Sequence, residues 1–172
     1  MGRIIDSPQQ LAHELIHHRR QGHTIVSTNG VFDILHIGHV RYLNAARSMG
    51  DVLVVGINSD ESTRGLKGPD RPLVPEMERA EVVAALAAVD FVVVFPENAP
   101  NALLEIVRPD IHVKGGDYEV ERMPETAVVR RYGGKVVAAP LEPDHSTTAT
   151  IARIRASTQG SISAQHGTEE PE

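Results

Sequence analysis

The 172-residue chain has no cysteine and no tryptophan, and it has only three phenylalanines and three tyrosines. The absence of cysteine excludes disulfides and thiolate metal sites, and it fits a reducing compartment. The scarcity of aromatic residues means that valine, leucine, isoleucine and alanine must form the core. No apolar run is long enough to span a membrane, and the first residues lack the apolar stretch of a signal peptide. We therefore expect a cytosolic protein.

Basic residues are also fewer than acidic residues. Seventeen Lys and Arg residues face 23 Asp and Glu residues, so the formal net charge is −6. This balance argues against a nucleic-acid partner, which needs a basic face, but a small anionic ligand needs only a few local cations. The length fits one domain, which we expect over residues 1–156. Residues 157–172 are polar with little to bury, which predicts a disordered C-terminal tail.

Short apolar strands alternate with helical patterns along the chain. Strands are predicted at 23–28, 51–58, 90–95, 110–114 and 135–139, and a long loop is predicted at 59–74. This alternation is typical of an α/β protein with a single-domain, Rossmann-like, doubly wound, five-stranded parallel sheet. Right-handed crossovers favour the strand order 3-2-1-4-5. The first and fourth strands are then neighbours at the switch point, where ligands bind beyond the strand ends.

The most distinctive stretch runs from Asn29 to His39, between the first strand and a helical pattern at 40–49. Its centre is His36-x-Gly38-His39. The opening of a helix carries unpaired N–H groups and the positive end of the helix dipole, so it attracts phosphate. Gly38 leaves room for a ligand to approach the backbone. Two histidines at this place can donate to the same anionic oxygens.

Cations, glycines and hydroxyls follow the other strands at the same edge of the predicted sheet. Taken singly, His36 or His39 is an ordinary loop histidine, Arg79 is a solvated helix residue and the Ser-Thr-Thr run is a helix cap. Their convergence on one crevice instead indicates a site for a polyphosphate. The contributing residues are Arg64, Lys67, Arg71 and Arg79 after the second strand, Lys114 to Tyr118 after the fourth, and Ser146, Thr147 and Thr148 after the fifth.

The stretch from Gly30 to His39, together with Ser146 to Thr148, resembles the signature of the cytidylyltransferase-like branch of the nucleotidyltransferases. Three further stretches, at 58–72, 88–90 and 113–118, are similar to the adenylyltransferase domain of bacterial ADP-heptose synthesis. This resemblance implies transfer of AMP from ATP to D-glycero-β-D-manno-heptose 1-phosphate, giving ADP-heptose and pyrophosphate. In many relatives the domain is fused to a sugar kinase, and we expect the stand-alone form here.

The resemblance also implies roles for individual residues and partners. His36, His39, Lys67 and Arg79 are the expected catalytic residues. Mg²⁺ is expected to enter with ATP, no protein-held metal site is evident, and a homodimer is expected because relatives are commonly dimers. The expected nucleotide-binding residues are Asn29, Gly30, Val31, Phe32, Asp33, Gly38, Lys114, Gly115, Gly116, Asp117, Ser146, Thr147 and Thr148.

Other functions compete with this interpretation. A cytidylyl- or adenylyltransferase of the same fold would act on another acceptor, such as glycerol 3-phosphate, phosphoethanolamine or FMN. Glycerol-phosphate enzymes carry an Arg before and a Lys after the Ser-Thr-Thr motif, where this chain has His145 and Ala149. A non-catalytic nucleotide-binding module is a further alternative. A truncated class I aminoacyl-tRNA synthetase is disfavoured because the chain is short and not basic.

Overall fold

The computed structural model describes residues 1–116 and 119–139 and the single residues 147, 150, 151, 153 and 154. This part of the chain folds as alternating strands and helices, and the five single residues are helical. The expected tail at 157–172 lies outside the described residues. The strands are β1 (Arg3–Ile5), β2 (Ile25–Gly30), β3 (Val52–Asn58), β4 (Phe91–Phe95), β5 (Ile111–Gly115) and β6 (Lys135–Ala139). The helices are α1 (Pro8–Arg20), α2 (Ile37–Arg47), α3 (Asp60–Lys67), α4 (Glu76–Ala84), α5 (Asn101–Val107) and α6 (Pro124–Arg131), with a 3₁₀ turn at Val120–Arg122.

All six described strands are parallel and form one sheet in the order β1-β4-β3-β2-β5-β6. The five predicted strands are β2 to β6, and their predicted order is confirmed. The predicted number of strands was wrong, because β1 adds a sixth strand at the edge beside β4, with Arg3 opposite Phe91. Three residues are too few to show a strand period, so the sequence pattern does not reveal β1.

The predicted loop at 59–74 was also wrong, since half of it is α3. The Oγ atom of Ser59 caps this helix by accepting the N–H of Ser62 at 3.1 Å. The negative charges of Asp60 and Glu61 in the first turn interact favourably with the positive end of the helix dipole. Gly68 ends the helix with a φ of 100°. The irregular chain therefore shrinks to the short segment between α3 and α4.

The core lies in two layers, one on each face of the sheet. On one face Leu43 of α2 and Val83 of α4 pack into a large cluster with β2, β3 and β4 residues. On the other face Leu11 of α1 and Leu103 of α5 pack into a second cluster. Helix α6 packs on α5, so the helices that follow β2 and β5 lie on opposite faces. The chain therefore diverges between β2 and β5, as expected for a switch point.

Polar side chains tie β2 to β5 on both faces just below this divergence. The hydroxyl of Tyr42 on α2 lies 2.6 Å from Thr28 Oγ1 and donates to the Val113 carbonyl at 2.9 Å. On the opposite face, Ser27 Oγ lies 2.8 Å from Nδ1 of His112. His112 is 1% exposed, and its Nε2 atom has no hydrogen-bond partner among the described residues. Burial therefore lowers the pKa of His112 to about 3.

The buried neutral state of His112 predicts an acid-sensitive fold. The unfolded chain takes up a proton on His112 near its ordinary pKa of 6.5, whereas the folded chain does so only near pH 3. The stability contribution is complete above pH 6.5 and is lost as the pH falls. The loss reaches up to about 2 kcal/mol of unfolding free energy by pH 5. Urea unfolding of wild type and His112→Asn at pH 7.5 and pH 5 measures it.

The variant should lose less stability on acidification than wild type, because asparagine takes up no proton. His13→Asn is the matched control, since His13 is exposed on α1 and its replacement should leave the pH dependence as in wild type. An equal loss in wild type and His112→Asn would contradict this account of His112.

Candidate active site

The loop after β2 holds an unusual backbone conformation. Phe32 has a φ of 50°, in the left-handed region that bulky residues seldom enter. Its ring is buried, and the ring centroid lies 5.4 Å from that of His39. A Cβ atom at Gly30 would come within 3.0 Å of the Phe32 ring, so the small residue at that position gives the ring its place. The loop thus seats an aromatic ring directly beneath the histidine motif.

His36 and His39 lie together at the opening of α2. His36 is the N-cap residue, and the two imidazole rings stack with centroids 3.9 Å apart. Nδ1 of His39 accepts the backbone N–H of His36 at 3.4 Å, which assigns the His39 proton to Nε2. Burial, and secondarily the charge of His36, lowers the pKa of His39 to about 4. His39 is therefore a neutral N–H donor at pH 7.

Asp33 is buried and surrounded by donors from the segment that follows α3. Its carboxylate accepts Arg71 Nε at 2.5 Å and the backbone N–H groups of Leu73 and Val74 at 2.8 and 2.9 Å. Sequence reasoning placed Asp33 among the nucleotide contacts. In the structure its oxygens are instead engaged inside the protein, where they hold the 71–74 segment against the loop after β2.

Arg79 is buried as well, although a phosphate-facing position was expected for it. Its side chain is 0% exposed, and its guanidinium donates to the carbonyls of Val74 and Val31 and to Asp60 Oδ1 at 2.7 Å. The structure thus places Arg79 beneath the crevice, where it joins three separate segments. Nothing in the residue type distinguishes this buried arginine from a phosphate ligand, so sequence reasoning missed the arrangement.

The cations of α3 have a different setting. Lys67 is the last residue of the helix and Arg64 lies one turn earlier, and both side chains are exposed. Because α3 directly follows β3, the helix starts at the same sheet edge as the histidine motif. Lys67 lies at the opposite end of this helix and is exposed, so its role in binding an anion stays a prediction.

The ends of β2 and β5 meet through Lys114. Its ammonium donates to Asn29 Oδ1 at 3.1 Å and to Glu125 Oε1 at 3.0 Å. Gly115 ends β5, and Gly116 follows with a φ of 135° and donates its N–H to the Ala139 carbonyl at 2.9 Å. Glu125 was missed by sequence reasoning, since a single glutamate in the first turn of a helix gives no distinguishing signal.

The Ser-Thr-Thr motif is described only in part. Thr147 Oγ1 donates to the carbonyl of Ile34 at 3.2 Å, which brings this threonine to the histidine loop. Asp117, Ser146 and Thr148 lie outside the described residues. Within the described part of the chain, no group of three or more His, Asp or Glu side chains is arranged to hold a metal ion, and no helix is long and apolar enough to cross a membrane.

The parallel sheet with a histidine pair at its switch point defines the class of this protein. The chain belongs to the cytidylyltransferase-like family, whose sequence profile matches residues 27–153. The family expected from His36-x-Gly38-His39 is thereby confirmed. The matched region includes both histidines, Lys114 and Glu125.

Two individual relatives show high sequence identity to this chain. The chain is 52% identical over 132 residues to the D-beta-D-heptose 1-phosphate adenylyltransferase of Bordetella bronchiseptica, an alignment that covers 76% of this chain and 82% of that protein. It is 54% identical over 136 residues to the bifunctional protein HldE of Syntrophotalea carbinolica, covering 79% of this chain. The matched segment spans only 28% of that bifunctional relative.

Solved structures agree at the level of the fold. The lipopolysaccharide core biosynthesis protein of Thermoplasma volcanium superposes with a TM-score of 0.59 and 30% identity, covering 70% of this chain and 98% of that chain. Pantoate-beta-alanine ligase of Francisella tularensis superposes with a TM-score of 0.57 over 84% of this chain and 69% of its own. At 16% identity, the second likeness concerns the fold alone.

The burial of Arg79 predicts a structural cost when its charge is removed. Arg79→Met leaves two carbonyls and the Asp60 carboxylate without a donor, so the free energy of unfolding should fall by about 2–3 kcal/mol. Arg64→Met on exposed α3 is the control and should change it by less than about 0.5 kcal/mol. Chemical denaturation of both variants measures the difference. Equal, small effects in both variants would contradict the structural role of the buried Arg79 guanidinium.

Proposed function

We propose that this protein transfers the adenylyl group of ATP to D-glycero-β-D-manno-heptose 1-phosphate, producing ADP-heptose and pyrophosphate. The observation that carries the proposal is the 52% identity with a heptose 1-phosphate adenylyltransferase over 82% of that protein's length. The histidine pair at the switch point supports the reaction type, because it presents donors where a phosphate would bind.

The reaction exchanges one phosphoanhydride bond for another. A phosphate oxygen of the sugar 1-phosphate attacks the α-phosphorus of ATP and forms the new P–O bond. The bond between the α-phosphorus and the bridging oxygen breaks, and its electron pair leaves with pyrophosphate. Because the attacking phosphate is already an anion, the site needs to position the reactants and neutralise charge rather than remove a proton.

His36 and His39 are proposed to donate to the oxygens of the transferring phosphate. The Nδ1 contact of His39 leaves its Nε2–H as a donor of fixed direction, and stacking on His36 restrains the ring. A donor that is already oriented stabilises the charge that develops in the transition state without reorganising during the reaction. Gly38 allows the phosphate to approach the first turn of α2.

Groups around this histidine pair are proposed to neutralise the remaining negative charge of the triphosphate. Lys67 is proposed to bind the β- and γ-phosphates, and the Ser-Thr-Thr motif to hold the triphosphate tail. Mg²⁺ is proposed to arrive with ATP, whose phosphate oxygens would coordinate it together with water. Asp33, within the loop, and Arg79, beneath it, act as positioning residues that hold the loop in place. The homodimer stays a prediction.

The choice of substrates is tested by pyrophosphate release. ATP and CTP should each be supplied with heptose 1-phosphate, glycerol 3-phosphate, phosphoethanolamine and FMN. We expect turnover with ATP and heptose 1-phosphate to exceed every other pair by at least about tenfold in kcat/KM, the usual scale of specificity from pocket contacts. Faster turnover with another acceptor would assign the chain to that reaction, and ATP binding without turnover on any acceptor would favour a binding module.

The histidines are tested by His36→Ala and His39→Ala, each assayed for pyrophosphate release with the preferred substrates. Removal of one preorganised donor should lower kcat by about 10²–10³ with little change in fold. His17→Ala is a suitable control, because His17 is exposed on α1, and it should retain wild-type kcat. Activity near wild type in either site variant would refute that histidine's assigned role.

A further inference from the structure

The carboxylate of Glu125 is buried against the ammonium of Lys114. Glu125 is 7% exposed and lies in the first turn of α6, and its Oε1 atom accepts Lys114 Nζ at 3.0 Å. The same ammonium donates to Asn29 Oδ1 at 3.1 Å. Two acceptors from different elements, the end of β2 and the start of α6, therefore fix the position of Nζ.

A buried pair of this kind is a costly way to stabilise a fold. Desolvation of the carboxylate and the ammonium offsets most of their attraction, and ordering the long lysine side chain costs entropy. Its placement is more informative, because Asn29 is the second-last residue of β2, which leads into the histidine loop, and Lys114 is the second-last residue of β5. The pair thus stands at the switch point, where the ends of β2 and β5 diverge.

Space for a ligand adjoins the pair. A cavity of about 390 Å³ opens beside Lys114 and Glu125, which is within the usual range for small-molecule sites. An ammonium has three N–H donors, and the described contacts to Asn29 and Glu125 use two of them. The third can serve a bound molecule. The cavity is lined by Lys114, Glu119, Arg122, Met123, Pro124 and Glu125.

We propose that Glu125 is a positioning residue for the nucleotide, which holds the ammonium of Lys114 so that its remaining N–H donates to bound ATP. This inference rests on the proposed function for the identity of the nucleotide. Glu125 itself touches Lys114 and not the reacting atoms. Its charge matters because a carboxylate acceptor holds an ammonium more strongly than a neutral one does.

The test is calorimetric titration of ATP, without acceptor, into wild type and Glu125→Gln. The glutamine keeps the size of the side chain and can still accept a hydrogen bond, but it lacks the charge. We expect the Kd for ATP to rise about tenfold, the difference between a charge-assisted and a neutral hydrogen bond. In the pyrophosphate assay the KM for ATP should rise while the KM for the sugar phosphate stays near wild type.

Glu121→Gln is the matched control, because Glu121 lies four residues before Glu125 and is an exposed glutamate that pairs with exposed Arg130. It should bind ATP as wild type does. A double-mutant cycle with Lys114→Met separates positioning from general damage: Glu125→Gln should weaken ATP binding no further once Lys114 is replaced. Losses that multiply in the double variant, or wild-type ATP binding by Glu125→Gln, would overturn the proposal.

The two proposals fail in different ways. If wild type binds ATP but releases no pyrophosphate with heptose 1-phosphate, the proposed acceptor is wrong and the titrations still decide the role of Glu125. If wild type turns over and Glu125→Gln binds ATP normally, only the positioning role is lost. If wild type does not bind ATP, both proposals are refuted.

Discussion

Two buried charges, Asp33 within the histidine loop and Arg79 beneath it, determine the geometry of that loop. The carboxylate of Asp33 accepts donors from the 71–74 segment, and the guanidinium of Arg79 reaches the carbonyls of Val31 and Val74. Neither side chain can leave its place without stranding a charge or a carbonyl in the interior, and this is strongly unfavourable. The loop, the segment after α3 and the start of α4 therefore behave as one unit. Because these segments are held together, the crevice above them is rigid as well.

The sheet supplies the second half of this rigid frame. β2 and β5 are linked on one face by Tyr42 and on the other by Ser27 and His112, immediately below the point where their chains part. Polar contacts inside a packed sheet are strong only when their geometry is met, so they fix the spacing of the two strands. The histidine motif follows one of these strands and Lys114 ends the other, and their separation is set by the same contacts.

Much of this architecture could be predicted because it depends on local patterns. Apolar runs bounded by glycines and prolines revealed β2 to β6, and crossover handedness gave their order. β1 was not predicted because three residues are too few to show the two-residue periodicity of a strand. α3 was not predicted because its start, Ser59 followed by two acidic residues, lies in a stretch rich in glycine and proline. These misses concern short elements whose formation depends on neighbours distant in sequence.

The site was predictable to a different degree. Residue type and spacing singled out His36 and His39, and the structure brings their rings together at the opening of α2. Residue type and spacing could not separate an exposed cation such as Lys67 from a buried one such as Arg79 that supports the loop, and only burial in the structure distinguishes the two. Glu125 had no signal at all, because its partner Lys114 lies eleven residues away across a turn.

The left-handed backbone of Phe32 has a consequence for how a nucleotide would meet this loop. Such a conformation costs a phenylalanine about 1–2 kcal/mol, and the buried ring offsets this cost only while the loop keeps its folded shape. In any other loop conformation, the contact between the Phe32 ring and His39 would be lost. The conformational entropy of the loop is lost once, during folding, and is not lost again at each binding event, so a ligand encounters a surface that already has its final form.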